Sequence, residues 1–375
     1  MMRFKSEDDR YTGISGTRDR TIDHGIFDFF PMTSDPQELG NPTSWPVSAG
    51  PSAEDSQTSA PTQILPPDGA EDEMDDLPTI VLPMQLSGLE DAARTDVGQQ
   101  REHNEDCFGV NVLVNKVDGL TGRKLHARAL YILCDGMGGH AGGEVASQLA
   151  VDTLQTYFQD YWQSHPEETA TTGFKVPSAE LLKGAVQAAN QAIYDQNQSD
   201  SRLGSGRMGT TLVMLLLCDT VAAVVHVGDS RLYRYTRKRG LEQVTLDHEV
   251  GQREILRGID PQMAYSRPDA YQLTQALGPR DESFVNPDVQ FIEVNEDTLF
   301  LLASDGLTDN DLLESNIQEA IDPLLSSQSS LDQGVKLLID LANTQNGHDN
   351  ITVLAVRAKV RPNLQNFPYA MVNMT

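Results

Sequence analysis

The chain has 375 residues, enough for one large domain or two ordinary ones. Acids outnumber bases 55 to 28, a formal net charge of −27, which excludes nucleic acid and lipid phosphates as general partners. Three cysteines far apart in sequence, with no CxxC spacing, exclude a zinc ribbon and a disulfide framework and read as buried thiols of a reducing compartment.

Residues 1–86 are rich in Pro, Ser, Thr, Asp and Gly and sustain no helical or strand period apart from the short cluster "IFDFF". Through Glu90 there are 17 acidic against 5 basic side chains, so this part carries nearly half of the net negative charge. Low hydrophobicity with high charge cannot repay the entropy of ordering, so a disordered, passive acidic tail is expected, with a short docking segment at "EDEMDDLPTIVLP" as the alternative reading of its end. "MMRFKSEDDRYTG" lacks the apolar core of a signal peptide, and no apolar run approaches a membrane span, so a cytoplasmic protein is expected.

From about Leu89 the pattern turns globular. In chain order, "CFGVNVLV" and "ALYILC" read as strands. "EVASQLAVDTLQTYFQDYW" reads as a helix with Val145, Leu149, Leu154, Phe158 and Tyr161 near one face, and "SAELLKGAVQAANQAIYDQ" as a second helix capped by Ser178. "TLVMLLLC" and "VAAVVHVG" read as a hairpin turning at Asp219 and Thr220, followed by strands "RLYRY", "VQFIEV" and "TLFLLAS". Helices are expected at "NDLLESNIQEAI" and "SLDQGVKLLIDLANTQ", and a last strand at "ITVLAVRA". Strands following one another in hairpins, with helices inserted in blocks, imply an α+β fold of antiparallel sheets covered by helices.

Five acids stand at strand ends: Asp106 before "CFGV", Asp135 after "LYILC", Asp229 after "VVHVG", Asp305 after "LFLLAS" and Asp349 before "NITVLAV". Any one alone reads as a turn or solvated residue, and Asp135-Gly136 in particular is a common turn pair. Gathered at one edge, they would raise one another's pKa and need cations, and an all-oxygen set suits Mg²⁺ or Mn²⁺ rather than zinc. Composition does not show that they converge.

Eight motifs occur in one order: "TDVGQQREHNEDCFGV", "LCDGMGGHAGGEVAS", "MGTTLVMLLL", "HVGDSRLYRY", "DH" at 247–248, "LTQALG", "LLASDGLTD" and "GHDNITVLAV". The series resembles the metal-dependent protein phosphatase family, the type 2C serine/threonine phosphatases, in its bacterial form, over residues 89–358. The resemblance implies an α-β-β-α sandwich, two packed antiparallel β-sheets flanked by helices, over residues 87–360, with 361–375 as a C-terminal extension. It implies two tightly held Mg²⁺ or Mn²⁺ ions, and a metal-activated water attacking phosphorus in line without a covalent intermediate. Asp135 would be shared by both ions, with the Gly136 carbonyl as a further ligand. Asp106 would serve one ion, with Glu105 acting through water, and Asp305 and Asp349 the other. Asp229 would help to hold a third, weaker ion, with Asp309 as a supporting acid behind the ligands. Arg101 matches the family's phosphate-binding arginine, whose planar fork grips two oxygens at once. The substrates implied are phosphorylated proteins, products of serine/threonine kinases, and the chain is expected to act as a monomer.

The pattern departs from the eukaryotic members at Met137, where they carry a histidine suspected of protonating the leaving group. Methionine has no proton to give, so a metal-bound water is the first candidate, and His140 reads as a packing or capping residue. Two rival functions stay open: a catalytically silent scaffold that binds phosphoproteins, which should lack the metal acids, and a two-metal phosphohydrolase acting on nucleotides, which should show a basic or base-stacking groove.

Overall fold

The computed structural model describes residues 83–119, 122–138, 142–165, 173–199 and 207–363. Residues 1–82, which hold the expected tail up to Leu82 and all but the last residue of the docking segment, lie outside the described residues, as do His140 and the C-terminal extension beyond Asn363.

Two antiparallel sheets pack face to face. The first runs β1 (Met84–Asp96), β11 (Ile351–Pro362), β10 (Thr298–Ala303), β7 (Arg231–Thr236), β8 (Gly240–Gln243). The second runs β2 (Asp106–Gly119), β3 (Gly122–Met137), β5 (Leu212–Cys218), β6 (Val221–Val227), β9 (Asp288–Glu293), with the two-residue β4 (Gly209–Thr210) pairing on β3. α1 (Gly142–Ser164) and α2 (Ala179–Ser199) cover the second sheet, and α7 (Leu331–Gln345) covers the first.

Alternation along each central strand produces these layers, because successive side chains leave opposite faces. On β3, Ala129, Tyr131 and Leu133 point between the sheets while Leu130, Ile132 and Cys134 meet α1 and α2. On β10, Phe300 and Leu302 point inward and Leu299, Leu301 and Ala303 meet Val335, Leu338 and Ala342 of α7. Each such fully buried aliphatic side chain contributes about 1.5–3 kcal/mol relative to exposure. The β5–β6 hairpin turns at Asp219 and Thr220 as expected. Asp219 sits at φ +51°, and its carboxylate accepts the Ala127 amide at 2.9 Å and holds His126 Nδ1 at 2.9 Å.

The structure departs from the sequence expectations at several places. β1 begins at Met84 and buries Leu86, so the fold starts ahead of the boundary placed at 86/87, and β11 runs on to Pro362. Val145 is 47% exposed, because small residues, Ala146 and Ala150 with Gly142 and Gly143, turn toward the sheet and let the helix approach it. The single helix expected over 310–321 is broken. Asn310 and Asp311 take φ +60° and +52° and delay its start to α6 (Leu312–Ser315), and Asn316, at φ −122° and ψ 25°, separates that α-turn from a π-turn over Ile317–Ile321. Residues 246–277, for which no element was expected, form a helical flap with α3 (Val250–Leu256) and α4 (Pro261–Tyr265), the latter capped by the Asp260 carboxylate. A one-turn helix, α5 (Asp305–Thr308), follows β10.

Candidate active site

All five strand-end acids lie at the same end of the sandwich. Asp106 and Asp135 are direct cross-strand partners, at the first position of β2 and near the end of β3. Asp229 follows β6 in the same sheet, while Asp305 and Asp349 flank the neighbouring β10 and β11 of the other. The sheets are tied together at this point: Ser304 Oγ donates to Asp106 Oδ2 at 2.8 Å and accepts the Thr352 amide at 2.9 Å. Glu105 N–H donates to Asn350 Oδ1 at 2.8 Å, and the Asn350 amide donates to the Val97 and His103 carbonyls, stapling the 97–105 loop beside Asp349.

The backbone around Asp135 is held as tightly. Its N–H donates to Thr211 Oγ1 at 3.0 Å, and its carbonyl accepts from Thr211 N–H and Thr210 Oγ1, both at 2.8 Å. Gly136 must be glycine, since a Cβ there would stand 2.1 Å from the Gly143 carbonyl oxygen and 2.6 Å from that of Glu105. A Cβ on Gly143 would in turn strike the Glu105 carboxylate at 2.6 Å. The glycines thus bring the start of α1 against the strand end, with the Glu105 carboxyl seated at the Gly143 amide.

The electrostatics are those of an acidic cluster in which acids outnumber the nearby cations, Arg101 on Asp349 and Arg231 near Asp229. Burial, and then repulsion from Asp106, Asp305, Asp229 and Asp349, push the Asp135 carboxyl well above the usual carboxylate range. Asp305 rises likewise, from burial and then Asp229, Asp349 and Asp309. Burial pushes Asp106 up to about 6 against the opposing hydrogen bonds from Thr352 and Ser304. Asp229 also reaches about 6, from burial and the Asp247 carboxylate. Asp106 Oδ1 and Asp305 Oδ1 are buried and have no hydrogen-bond partner. Two orphaned carboxylate oxygens within one ring of acids are what hard divalent cations would satisfy, so the donor set fits Mg²⁺ or Mn²⁺.

Arg101 stands at the rim, 49% exposed, with Nη2 donating to Asp349 Oδ2 at 2.6 Å. Asp309 lies one step out, its carboxylate on His348 Nε2 at 3.0 Å. Ser304, Asn350, Thr210 and Thr211 were given no role from sequence, although all four fall inside the motifs singled out there; their hydroxyl and amide groups orient the acids. Gly136 and Met137 pair with Thr210 and Gly209 of β4, which puts Met137 at the site's margin.

Comparison with known proteins agrees with this geometry. A sequence profile of the protein phosphatase 2C family matches residues 116–337, more than half of the chain. The chain belongs to the protein phosphatase 2C family. It is 32% identical over 269 residues to the protein phosphatase PhpP of Streptococcus pneumoniae, covering 72% of this chain and 97% of that protein. It is 34% identical over 264 residues to the serine/threonine phosphatase stp of Listeria monocytogenes, covering 70% and 93%. Among solved structures, the serine/threonine phosphatase PstP/Ppp of Mycobacterium tuberculosis superposes with a TM-score of 0.56 at 32% identity, over 72% of this chain and 99% of that one. A PstP catalytic domain in complex with two manganese ions superposes at 0.53 with 31% identity, over 74% and 100%. Against this protein phosphatase 2C framework, the ring of acids occupies strand ends of both sheets, those of β2, β3 and β6 in one and of β10 and β11 in the other.

Proposed function

We infer that this protein phosphatase 2C chain is a metal-dependent protein serine/threonine phosphatase, hydrolysing phosphoserine and phosphothreonine in proteins phosphorylated by serine/threonine kinases. The observation that carries the reading is the convergence of five acids around two orphaned carboxylate oxygens, with Arg101 at the rim.

Asp135 would bridge two Mg²⁺ or Mn²⁺ ions, with the Gly136 carbonyl beside it. Asp106, and Glu105 through water, would serve one ion, Asp305 and Asp349 the other. Asp229 together with Asp305 would hold a third, weaker one, with Asp309 behind. Bound there, the ions supply Lewis acidity, lowering the pKa of water and offsetting charge on the phosphoryl oxygens. The protein's own residues do the rest. Ser304, Thr211 and Asn350 hold the acids in place before ions arrive. Arg101 binds the phosphoryl group: Asp349 engages one end of its guanidinium, and the fork offers more donors than one carboxylate takes. Met137 has no proton to deliver to the leaving alkoxide, so position 137 contributes no acid here.

The protein would act in the cytoplasm as a monomer. The three cysteines are free, which suits a reducing compartment, and among the described residues no helix is long and apolar enough to cross a membrane. Calorimetric Mn²⁺ binding by Asp135→Asn tests the assignment. The variant should stay folded, lose tight binding, and lose turnover of an aryl phosphate by several kcal/mol of transition-state stabilisation, on the order of a thousandfold or more. Wild-type turnover at saturating Mn²⁺ would return Asp135 to a turn role.

A further inference from the structure

Beside the acid ring lies a second cluster. His226 in β6, His248 at the base of the flap and Asp288 at the start of β9 present donor atoms within 4.8 Å of one another, and the two imidazoles stack with centroids 4.6 Å apart. The spacing suggests a cation, but the protons forbid one. Leu246's carbonyl, 2.8 Å from His226 Nε2, can only accept, so that nitrogen keeps its proton. Gly228's amide, 3.1 Å from His248 Nδ1, can only donate, so neutral His248 carries its proton on Nε2, facing Asp288 Oδ2 at 3.4 Å. Burial and the neighbouring His226 push His248 below its ordinary range, which keeps it neutral. Both Nε2 atoms are therefore donors, and neither has a lone pair for an ion.

What His248 does hold is the peptide of Gly228. Its own N–H donates to the Gly228 carbonyl at 2.9 Å, and its Nδ1 accepts the Gly228 N–H, so one residue grips both backbone groups. Gly228 sits at φ +107°, and a Cβ there would meet Thr211 at 2.8 Å, so the turn cannot relax toward that side. The next residue is Asp229. After it, Ser230 Oγ lies 2.7 Å from Thr211 Oγ1, which pins the other end of the turn. His248 also closes the neck of the flap, because its carbonyl accepts the Thr274 amide at 2.7 Å.

We propose that His248 is a positioning residue for Asp229: its Nδ1 acceptor fixes the Gly228 peptide, aims the Asp229 carboxylate at the weak third-ion site, and ties that site to the base of the flap. The inference rests on the third-ion reading of Asp229 given above. It assigns His248 no contact with substrate or ion.

The test is Mn²⁺ calorimetry on the full chain, with exchange of the Gly228 amide in chelator, read by NMR, as a second measurement. Asparagine places Oδ1 the same number of bonds from Cβ as histidine Nδ1, whereas the glutamine amide reaches only the Nε2 position. Asp229→Asn should abolish the weak binding event. His248→Ala and His248→Gln should weaken it about tenfold, as loss of a partner behind a ligand commonly does, and speed Gly228 exchange while leaving the tight pair unchanged. His248→Asn should restore both readouts to near wild type. If alanine prevents folding, the asparagine and glutamine variants decide alone. Glutamine matching asparagine, or an unchanged weak event in His248→Ala where Asp229→Asn has lost it, overturns the positioning role only. A wild-type chain with no weak event, or one indifferent to Asp229→Asn, overturns the third-ion reading and this inference with it.

Discussion

Removing divalent ions with a chelator at pH 7 leaves five carboxylates facing one another, and the cost is readable as stability against pH. Asp106 and Asp229 are pushed up to about 6 from 3.8. A raised folded-state pKa means the folded protein holds its protons longer. Their stabilisation is therefore fully present below pH 3.8 and lost as the pH rises through about 6. Between pH 5 and pH 7 each group gives up about 1 kcal/mol by this linkage, and Asp135 and Asp305, held well above the usual carboxylate range, act in the same direction. A combined loss of about 2 kcal/mol or more corresponds to a fall in Tm of about 3–4 °C or more for a domain of this size. Thermal unfolding at pH 5, 6 and 7, in chelator and in millimolar Mn²⁺, measures it. Mn²⁺ should raise Tm most at pH 7 and least at pH 5, where protons compete for the same oxygens. Surface repulsion in so acidic a chain has the same sign, so Asp305→Asn isolates the site. In chelator at pH 7 this variant should be more stable than wild type, by about 1–3 kcal/mol, because a buried repelled charge is gone. A metal-free Tm that is flat or rises from pH 5 to 7, together with a destabilised Asp305→Asn, would refute the reasoning.

Arg101→Lys should raise KM for small phosphoesters several-fold more than it lowers kcat, since lysine keeps the charge and loses the bidentate fork; an unchanged KM would make Arg101 a partner of Asp349 and nothing more. Gly136→Ala drives a Cβ to 2.1 Å from the Gly143 carbonyl, so urea unfolding in chelator should show a loss of about 2–3 kcal/mol. Wild-type stability there would contradict the close approach of α1 to β3. A chain starting at Pro83 should keep its turnover of small substrates. One starting at Leu89 loses buried Leu86 and the rungs from Met84 to Gly88 on β11, and should be less stable by about 2–3 kcal/mol. Equal stability of the two truncations would remove the first rungs of β1 from the fold.

The central strands were readable because their runs are long and apolar, as in "TLVMLLLC" and "TLFLLAS". β1 was not: "MQLSGLEDAARTD" is an edge strand in which Leu86 alone is fully buried, so it shows no alternation. Its identity as a strand comes from twelve pairings to β11, which no local pattern reveals. The late start after Asn310 and Asp311 and the break at Asn316 were missed because the helical spacing runs through all three, and only their backbone angles betray the interruptions. At the site, each acid could be placed at a strand end, but their meeting depends on the β2–β3 register and on Ser304 bridging two sheets, which are long-range facts. His226 and His248 lie 22 positions apart and carry no spacing signal; backbone donors and acceptors fix their tautomers and hence what they can do.

The central claim, metal-dependent hydrolysis of phosphoserine and phosphothreonine, is tested most directly by phosphate release from phosphoserine, phosphothreonine and phosphotyrosine peptides of one sequence, with the ions removed and then restored. The account predicts release from the first two peptides in Mn²⁺ or Mg²⁺, loss of at least a hundredfold in chelator, about 2.7 kcal/mol, and recovery when ions are returned. Equal turnover with and without divalent ions, or binding of the phosphopeptides with no phosphate released at any ion concentration, would contradict it.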